Sequence, residues 1–212
     1  MSDTSPVGAL EPGVAPAEAL AAGLVIGADG KARCFWGGSS PAYVAYHDGE
    51  WGRPVLGDDA LFERMTLEAF QSGLAWITIL RKRESFRKAF DNFEIAAVAR
   101  FDAADAARLL TDPGIVRNRM KIDAALHNAR VAADLPDGLA TLLWSFAPRP
   151  RPPRPATRSE VPASTPESKA MAKELKRRGF KFVGPTTAYA LMQATGMVDD
   201  HLAGCFVPPG TS

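Results

Sequence analysis

Cysteine and histidine are scarce in this chain: two cysteines and three histidines among 212 residues. So few thiols cannot build the disulfide framework of a small secreted domain. No stretch approaches the length of apolar residues that a membrane-spanning helix needs. The first residues lack a basic segment followed by a long apolar run, so no export signal is read and the expected compartment is the cytoplasm. Lysine and arginine are absent from residues 1–30, which hold Asp3, Glu11, Glu18 and Asp29 and no aromatic residue. This Ala-, Gly- and Pro-rich stretch reads as a disordered tail ahead of a single domain over residues 31–212.

The net charge of +1 hides an uneven distribution, because the acidic start leaves the rest of the chain clearly basic. Ten basic and three acidic residues fall between Arg149 and Lys181, and Arg81, Lys82, Arg83, Arg87 and Lys88 form a second cluster. Such clusters suit a polyanion, although each alone is equally a solvated helix face. No strand pattern of useful length appears, and the periodicity predicts an all-α fold. Asp58 or Asp59 is placed to cap a helix carrying Leu61, Phe62, Met65, Leu67 and Phe70, which Gly73 ends. Short helices are expected at Trp76–Leu80, Ser85–Phe90, Glu94–Ala99 and Ala103–Leu110, with two more over 118–132 and 138–146. Five prolines between Pro148 and Pro155 make a stiff loop. Ser164 and Glu167 frame Pro166 as a capping box opening a helix that stops at Gly179, and a last helix runs from Pro185 to Gly196.

The scarce residues sit together at the two ends. Cys34 and His47 form C-x12-H, and His201 and Cys205 form H-x3-C, with about 150 residues between the pairs. Two thiolates and two imidazoles are a donor set that tetrahedral zinc prefers, and four protein ligands would make the site structural. A disulfide, or two unrelated buried thiols, are the competing readings. His127 lies away from these motifs and reads as a surface histidine.

Between the last two helices, Gly179-Phe-Lys-Phe-Val-Gly184-Pro-Thr-Thr-Ala188 forms a tight turn that resembles the helix-hairpin-helix element of DNA glycosylases. Val183, Gly184, Thr187 and Ala188 match that element, and Phe182 departs from its first glycine. Such a turn offers backbone N–H groups at a helix start to a phosphate, with Gly184 allowing close approach. Three of the four tryptophans (Trp36, Trp51, Trp76) fall close together in the sequence, near Tyr43, Tyr46 and a glutamate, Glu68, set among apolar neighbours. Aromatic plates with one buried carboxylate suit a flat, electron-poor ring. An aromatic core is the plain alternative.

Taken together, Arg33-Cys34-Phe35-Trp36, Tyr46-His47-Asp48-x-Glu50-Trp51-Gly52, Leu67-Glu68-x-x-Gln71-x-Gly73-Leu74-x-Trp76, Arg177-Arg178-Gly179-Phe180-Lys181-Phe182-Val183-Gly184 and Asp200-His201-x-x-Gly204-Cys205 resemble the bacterial DNA-3-methyladenine glycosylase I family. The resemblance covers about residues 32–208. It implies a helix-hairpin-helix fold of two helical lobes, with one structural zinc on Cys34, His47, His201 and Cys205 clipping the termini together. It implies a base pocket in which Glu68 reads the adenine edge while Tyr43, Tyr46, Trp36 and Trp76 frame the ring. Lys181, Gly184, Thr186 and Thr187 are the implied DNA contacts, and Gly73 and Leu74 the residues that fill the gap left by a flipped base. Thr186 stands where lyase-active members carry a lysine, which implies hydrolysis without strand cleavage. Asp199, together with Glu68, is the implied catalytic carboxylate. The implied partner is double-stranded DNA with alkylated bases, bound by a monomer and away from any membrane.

Overall fold

A computed structural model describes residues 16–210. Ten helices and one two-stranded sheet make up the described chain. They are α1 (Pro16–Ala22), β1 (Leu24–Ile26), β2 (Ala32–Cys34), α2 (Pro41–Gly49), α3 (Asp58–Gln71), α4 (Trp76–Ala89), α5 (Ile95–Val98), α6 (Ala103–Thr111), α7 (Arg119–Ala133), α8 (Gly138–Trp144), α9 (Pro166–Arg177) and α10 (Pro185–Ala194). The all-α expectation holds, with one small departure. Strands β1 and β2 pair antiparallel, Leu24 opposite Cys34, in runs too short for an alternation signal to show in the sequence.

The expected tail meets the structure in two parts. Residues 1–15 lie outside the described residues. From Pro16 onward the chain is folded, so the domain boundary at residue 31 is corrected. Ala19 and Leu24 are buried with Ala32, Cys34, Leu202, Cys205 and Val207, so a few small apolar groups tie down a segment whose composition looked tail-like.

Helix α3 is central. Its residues Leu61, Phe62, Met65, Leu67 and Phe70 are almost fully buried. They pack into one core with Phe86, Phe90 and Phe93, whose rings meet edge-on or stacked at 4.8–6.3 Å. The helix contacts α4, α7, α8 and α10. Asp58 and Asp59 do not cap α3, whose N-cap is Gly57. Instead Asp58 accepts from the Ala140 N–H at 2.7 Å and Asp59 from the Ile95 N–H at 2.8 Å. One helix start therefore supplies the missing acceptors of two others, α8 and α5.

The two short helices expected at Trp76–Leu80 and Ser85–Phe90 are one continuous helix, because the Arg-Lys-Arg-Glu run between them contains no breaker. Helix α2 carries too few apolar repeats to be read as a helix, yet Ser40 caps it and Pro41 starts it. The α9 box is shifted by one residue from the expected Ser164 and Glu167. Thr165 accepts from the Ser168 N–H and the Ser168 hydroxyl accepts from the Thr165 N–H. Pro166 forces the residue before it into extended backbone, which makes Thr165 the cap.

Replacing Asp58 or Asp59 by alanine strands a helix-start N–H. Each is expected to cost about 1 kcal/mol in urea unfolding. Equal stability of wild type and both variants would show that water satisfies these donors.

Candidate base pocket and metal cluster

Cys34 ends β2 and His47 sits on α2, while His201 and Cys205 follow α10 in irregular chain. The fold brings all four together. Their ligating atoms lie within 4.8 Å of one another, and every one of the four residues is buried. Both cysteines are free thiols, so the disulfide reading falls. Cys205 Sγ lies 3.6 Å from His47 Nε2 and 3.6 Å from His201 Nδ1, and Cys34 Sγ lies 3.8 Å from His201 Nδ1. A tetrahedral ion with bonds of about 2.3 Å to sulfur and about 2.0–2.1 Å to nitrogen has S···N edges of about 3.6 Å. The donors are therefore already spaced for one metal ion. The neighbouring Cys205 thiol pushes that of Cys34 up, while Cys34 and the two imidazoles pull Cys205 down. A bound cation lets both ionise.

The outer nitrogens are fixed as metal-ligand imidazoles require. His47 Nδ1 donates to Asp48 at 2.8 Å. Asp48 accepts from the Arg33 guanidinium at 2.8–3.2 Å, and Arg33 also donates to Asp29 at 2.7–2.8 Å. His201 Nε2 faces the Trp51 carbonyl at 3.1 Å. Gly37 packs so close to His47 that a Cβ would meet its ring at 2.5 Å.

An aromatic wall stands directly against this cluster. Trp36 meets the His47 ring at 5.1 Å, Trp51 at 5.0 Å, Tyr43 at 5.6 Å and Tyr46 at 6.2 Å. Trp51 meets the His201 ring at 4.7 Å, and Tyr46 meets Trp76 at 5.4 Å. These side chains line a cavity of about 390 Å³ together with Glu68, Gln71, Gln193 and Asp200. The volume is ordinary for a small-molecule site.

Glu68, on α3, is buried, and burial pushes its carboxyl up to about 8, with Arg64 pulling weakly the other way. Among the described residues its carboxyl has no hydrogen-bond partner. Trp76 Nε1 is a second buried polar atom without one. A buried donor left unpaired costs about 1–3 kcal/mol, a cost that a ligand can remove. Nearby, Glu50 accepts from both Arg64 and Arg83 at 2.6–2.9 Å. Tyr43 has a second duty: its hydroxyl accepts from the Ile77 N–H at 3.1 Å and holds the start of α4.

Asp199 is placed elsewhere than expected. It does not line this cavity. Its carboxylate accepts from Arg154 at 2.9 Å and from the His201 N–H at 3.3 Å, behind the metal cluster. Asp200 takes the cavity position, one oxygen accepting from Tyr189 at 2.6 Å and Gln193 at 2.7 Å. The two adjacent carboxylates have different partners, and the sequence carried no signal to choose between them.

The hairpin presents Lys181, Gly184 and Thr186 exposed, with Thr187 half-buried at the start of α10. Gly184 is the N-cap and gives no side-chain acceptor, so the first N–H groups of α10 remain open. Phe182 has φ 58°, a left-handed backbone that glycine adopts most readily. Helix α7 anchors the turn. Asn128 donates to the Lys181 carbonyl at 3.0 Å and accepts from the Lys181 N–H at 2.8 Å, and His127 Nε2 meets the Gly179 carbonyl at 2.9 Å. His127 is thus a hairpin strut, not a plain surface histidine, a role that long sequence separation hid. On another edge, Gly73 (φ 80°) turns the chain so that Leu74 is 40% exposed. The Lys121 ammonium fixes that turn through the Phe70 and Ser72 carbonyls at 2.8 and 2.6 Å.

Glu68 also shapes the pH dependence of stability. The unfolded chain gives up this proton near 4.5, while the folded chain keeps it to about 8. Stability is therefore lost as pH rises through that window, by up to about 1.4 kcal/mol per pH unit. Glu68→Gln carries no such proton. Its advantage over wild type in urea unfolding is expected to grow from pH 5 to pH 8, and parallel pH profiles would contradict the buried-acid assignment.

Residues 36–208 match the sequence model of a family described as methyladenine glycosylase. The chain is 45% identical to DNA-3-methyladenine glycosylase 1 of Escherichia coli (strain K12) over 182 residues, 84% of this chain and 97% of that one. A crystal structure of 3-methyladenine DNA glycosylase I superposes with TM-score 0.80 at 45% identity, covering 84% of this chain and 100% of that one. A variant of 3-methyladenine DNA glycosylase I solved in complex with 3-methyladenine superposes with TM-score 0.77 at 34% identity, covering 82% of this chain and 96% of that one. A buried two-cysteine, two-histidine cluster, an aromatic cavity floored by a lone carboxyl and a two-helix hairpin, joined to this similarity over most of the chain, establish that the protein is a DNA glycosylase belonging to the methyladenine glycosylase family.

Proposed function

We propose that the protein flips an alkylated nucleotide out of double-stranded DNA and hydrolyses the N-glycosidic bond of 3-methyladenine, leaving the strand uncut. The observation that carries this reading is the pair of unsatisfied polar groups in an aromatic cavity. Trp76 Nε1 is buried without a partner, and the buried Glu68 carboxyl on the cavity lining accepts no hydrogen bond among the described residues, beside Trp36, Tyr43 and Tyr46. A purine edge brings both a donor and an acceptor, and its face stacks on the rings.

The substrate's charge completes the argument. Methylation at N3 makes the base a cation while it is joined to the sugar. Electron-rich ring faces favour a cation, and a cation beside Glu68 favours loss of its proton, so that a buried ion pair forms. Unmodified adenine is neutral and gains neither effect. The cationic base already leaves well, so no acid is needed to protonate it. The C–N bond breaks, its electron pair stays on the base, and water adds to the sugar carbon with release of a proton. Asp200, held from the side by Tyr189 and Gln193, is the carboxylate on the cavity wall that can order this water. Asp199 is assigned to holding Arg154 and the metal cluster.

Outside the cavity, Lys181, Gly184, Thr186 and Thr187 meet phosphate at the open start of α10, and Gly73 and Leu74 enter the gap in the stack. Thr186 carries no amine to attack the sugar, which fits hydrolysis without lyase chemistry. For the metal, two cysteines and two histidines with zinc-length spacing favour zinc in a structural role. Among the described residues no helix is long and apolar enough to cross a membrane. The enzyme is read as a cytoplasmic monomer.

Chromatography of bases released from methylated duplex DNA tests the proposal. Wild type is expected to release 3-methyladenine and to leave the strand intact until heated in alkali. Glu68→Gln turns an accepting oxygen toward the base into a donor and is expected to lower release about 10- to 100-fold, equivalent to about 1–3 kcal/mol. Its affinity for undamaged duplex should not change. Full activity in a folded Glu68→Gln protein would remove Glu68 from base recognition.

A further inference from the structure

At the rim of the base cavity stands a pair that the chemistry above does not use. Phe35 and Arg158 both line the cavity, and the Arg158 guanidinium lies 4.0 Å from the centre of the Phe35 ring. Both are exposed, Phe35 to 39%. Among the described residues no acceptor pairs with the Arg158 side chain. The nearest acid in sequence, Glu160, is spent closing its own turn, accepting from the Ala156 N–H at 2.8 Å and the Thr157 hydroxyl at 3.2 Å. Stacking therefore fixes the plane of the guanidinium while its edge donors stay free, an arrangement that suits a planar or tetrahedral oxyanion.

The N-terminal hairpin holds the pair in place. The Phe35 N–H donates to the Gly23 carbonyl at 2.8 Å. Gly23 also sits against the turn that carries Arg158, so closely that a Cβ there would meet the Arg158 Cβ at 2.9 Å.

We infer that Arg158, seated on Phe35, clamps the phosphodiester next to the flipped nucleotide. The inference rests on the reading of the cavity as the base site. When a base lies inside, its sugar and flanking phosphates must stand at the mouth, where this guanidinium is. The alternative, that Arg158 recognises the base, is opposed by charge, because a cationic ring would meet a second cation. A phosphate at the same place gains a charge-assisted contact.

Fluorescence anisotropy on a duplex carrying one tetrahydrofuran abasic site, measured across a salt series, tests the clamp. Arg158→Ala is expected to weaken binding about five- to tenfold at low salt and to reduce the slope of log K against log salt by about 0.9. Phe35→Leu should weaken binding while the slope stays, since the charge remains, and Arg158→Lys should keep the slope with part of the affinity. Affinity for free 3-methyladenine, followed by tryptophan fluorescence, should match wild type in all three. An unchanged slope in Arg158→Ala overturns the clamp, as does an equal loss of free-base affinity, which would make Arg158 a wall of the base site. Base release by wild type separates the two readings. Normal release with an unchanged slope removes the clamp alone, whereas a flattened slope without release keeps the phosphate contact and removes the glycosylase reading.

Discussion

The base cavity depends on the convergence of Cys34, His47, His201 and Cys205. Each ligand-bearing segment also carries or touches a wall of the pocket. Trp36 follows Cys34 by two residues and packs on the His47 ring, and Trp51 packs on the His201 ring. Tyr43 and Tyr46 share helix α2 with His47. Chain ends that would otherwise fray are held at one point, and the aromatic side chains are ordered with them. The Asp29–Arg33–Asp48–His47 chain of hydrogen bonds continues the constraint outward to the edge of the fold. On the proposed reading, the cluster shapes base binding through the wall that its own segments carry.

The second constraint is electrostatic. Helix α3 is the most buried helix of the fold, and Glu68 is carried on it among Leu67, Ala69 and Phe70. Burial keeps that carboxyl protonated up to about 8, and the Trp76 N–H has no protein partner. Stability is given up to keep two groups ready for a ligand, as is common at functional sites. On the proposed function, discrimination follows from charge as well as shape, because a cationic ring favours ionisation of Glu68. Arg64 and Arg83, which stand nearby, share the single carboxylate of Glu50.

Much of this was legible in the sequence where one residue type is rare or one pattern is local. The metal cluster was readable because cysteine and histidine are scarce and paired, and the helices of α3, α7, α9 and α10 because their periodicity and stop signals are strong. What failed was set by partners far away in the chain. The folding of Pro16–Ile26 depends on Leu202 and Val207, which composition alone cannot show. Asp58 and Asp59 look like caps of their own helix and serve two others. Asp199 and Asp200 are neighbours that share one cavity, and only the path of the chain after α10 decides that Asp200 also lines the aromatic one.

If the metal cluster orders the base wall, removing the ion must weaken base binding in a protein that stays folded. The direct measurement is the affinity for free 3-methyladenine, read by tryptophan fluorescence, of the same preparation before chelation, after chelation and after zinc is restored, with helical content followed by circular dichroism. The account predicts affinity at least about tenfold lower without metal, recovery on zinc addition and largely unchanged helical content, since the core around α3 stands apart from the cluster. Equal affinity with and without the ion would contradict it and leave the cluster a stabiliser of the chain ends alone.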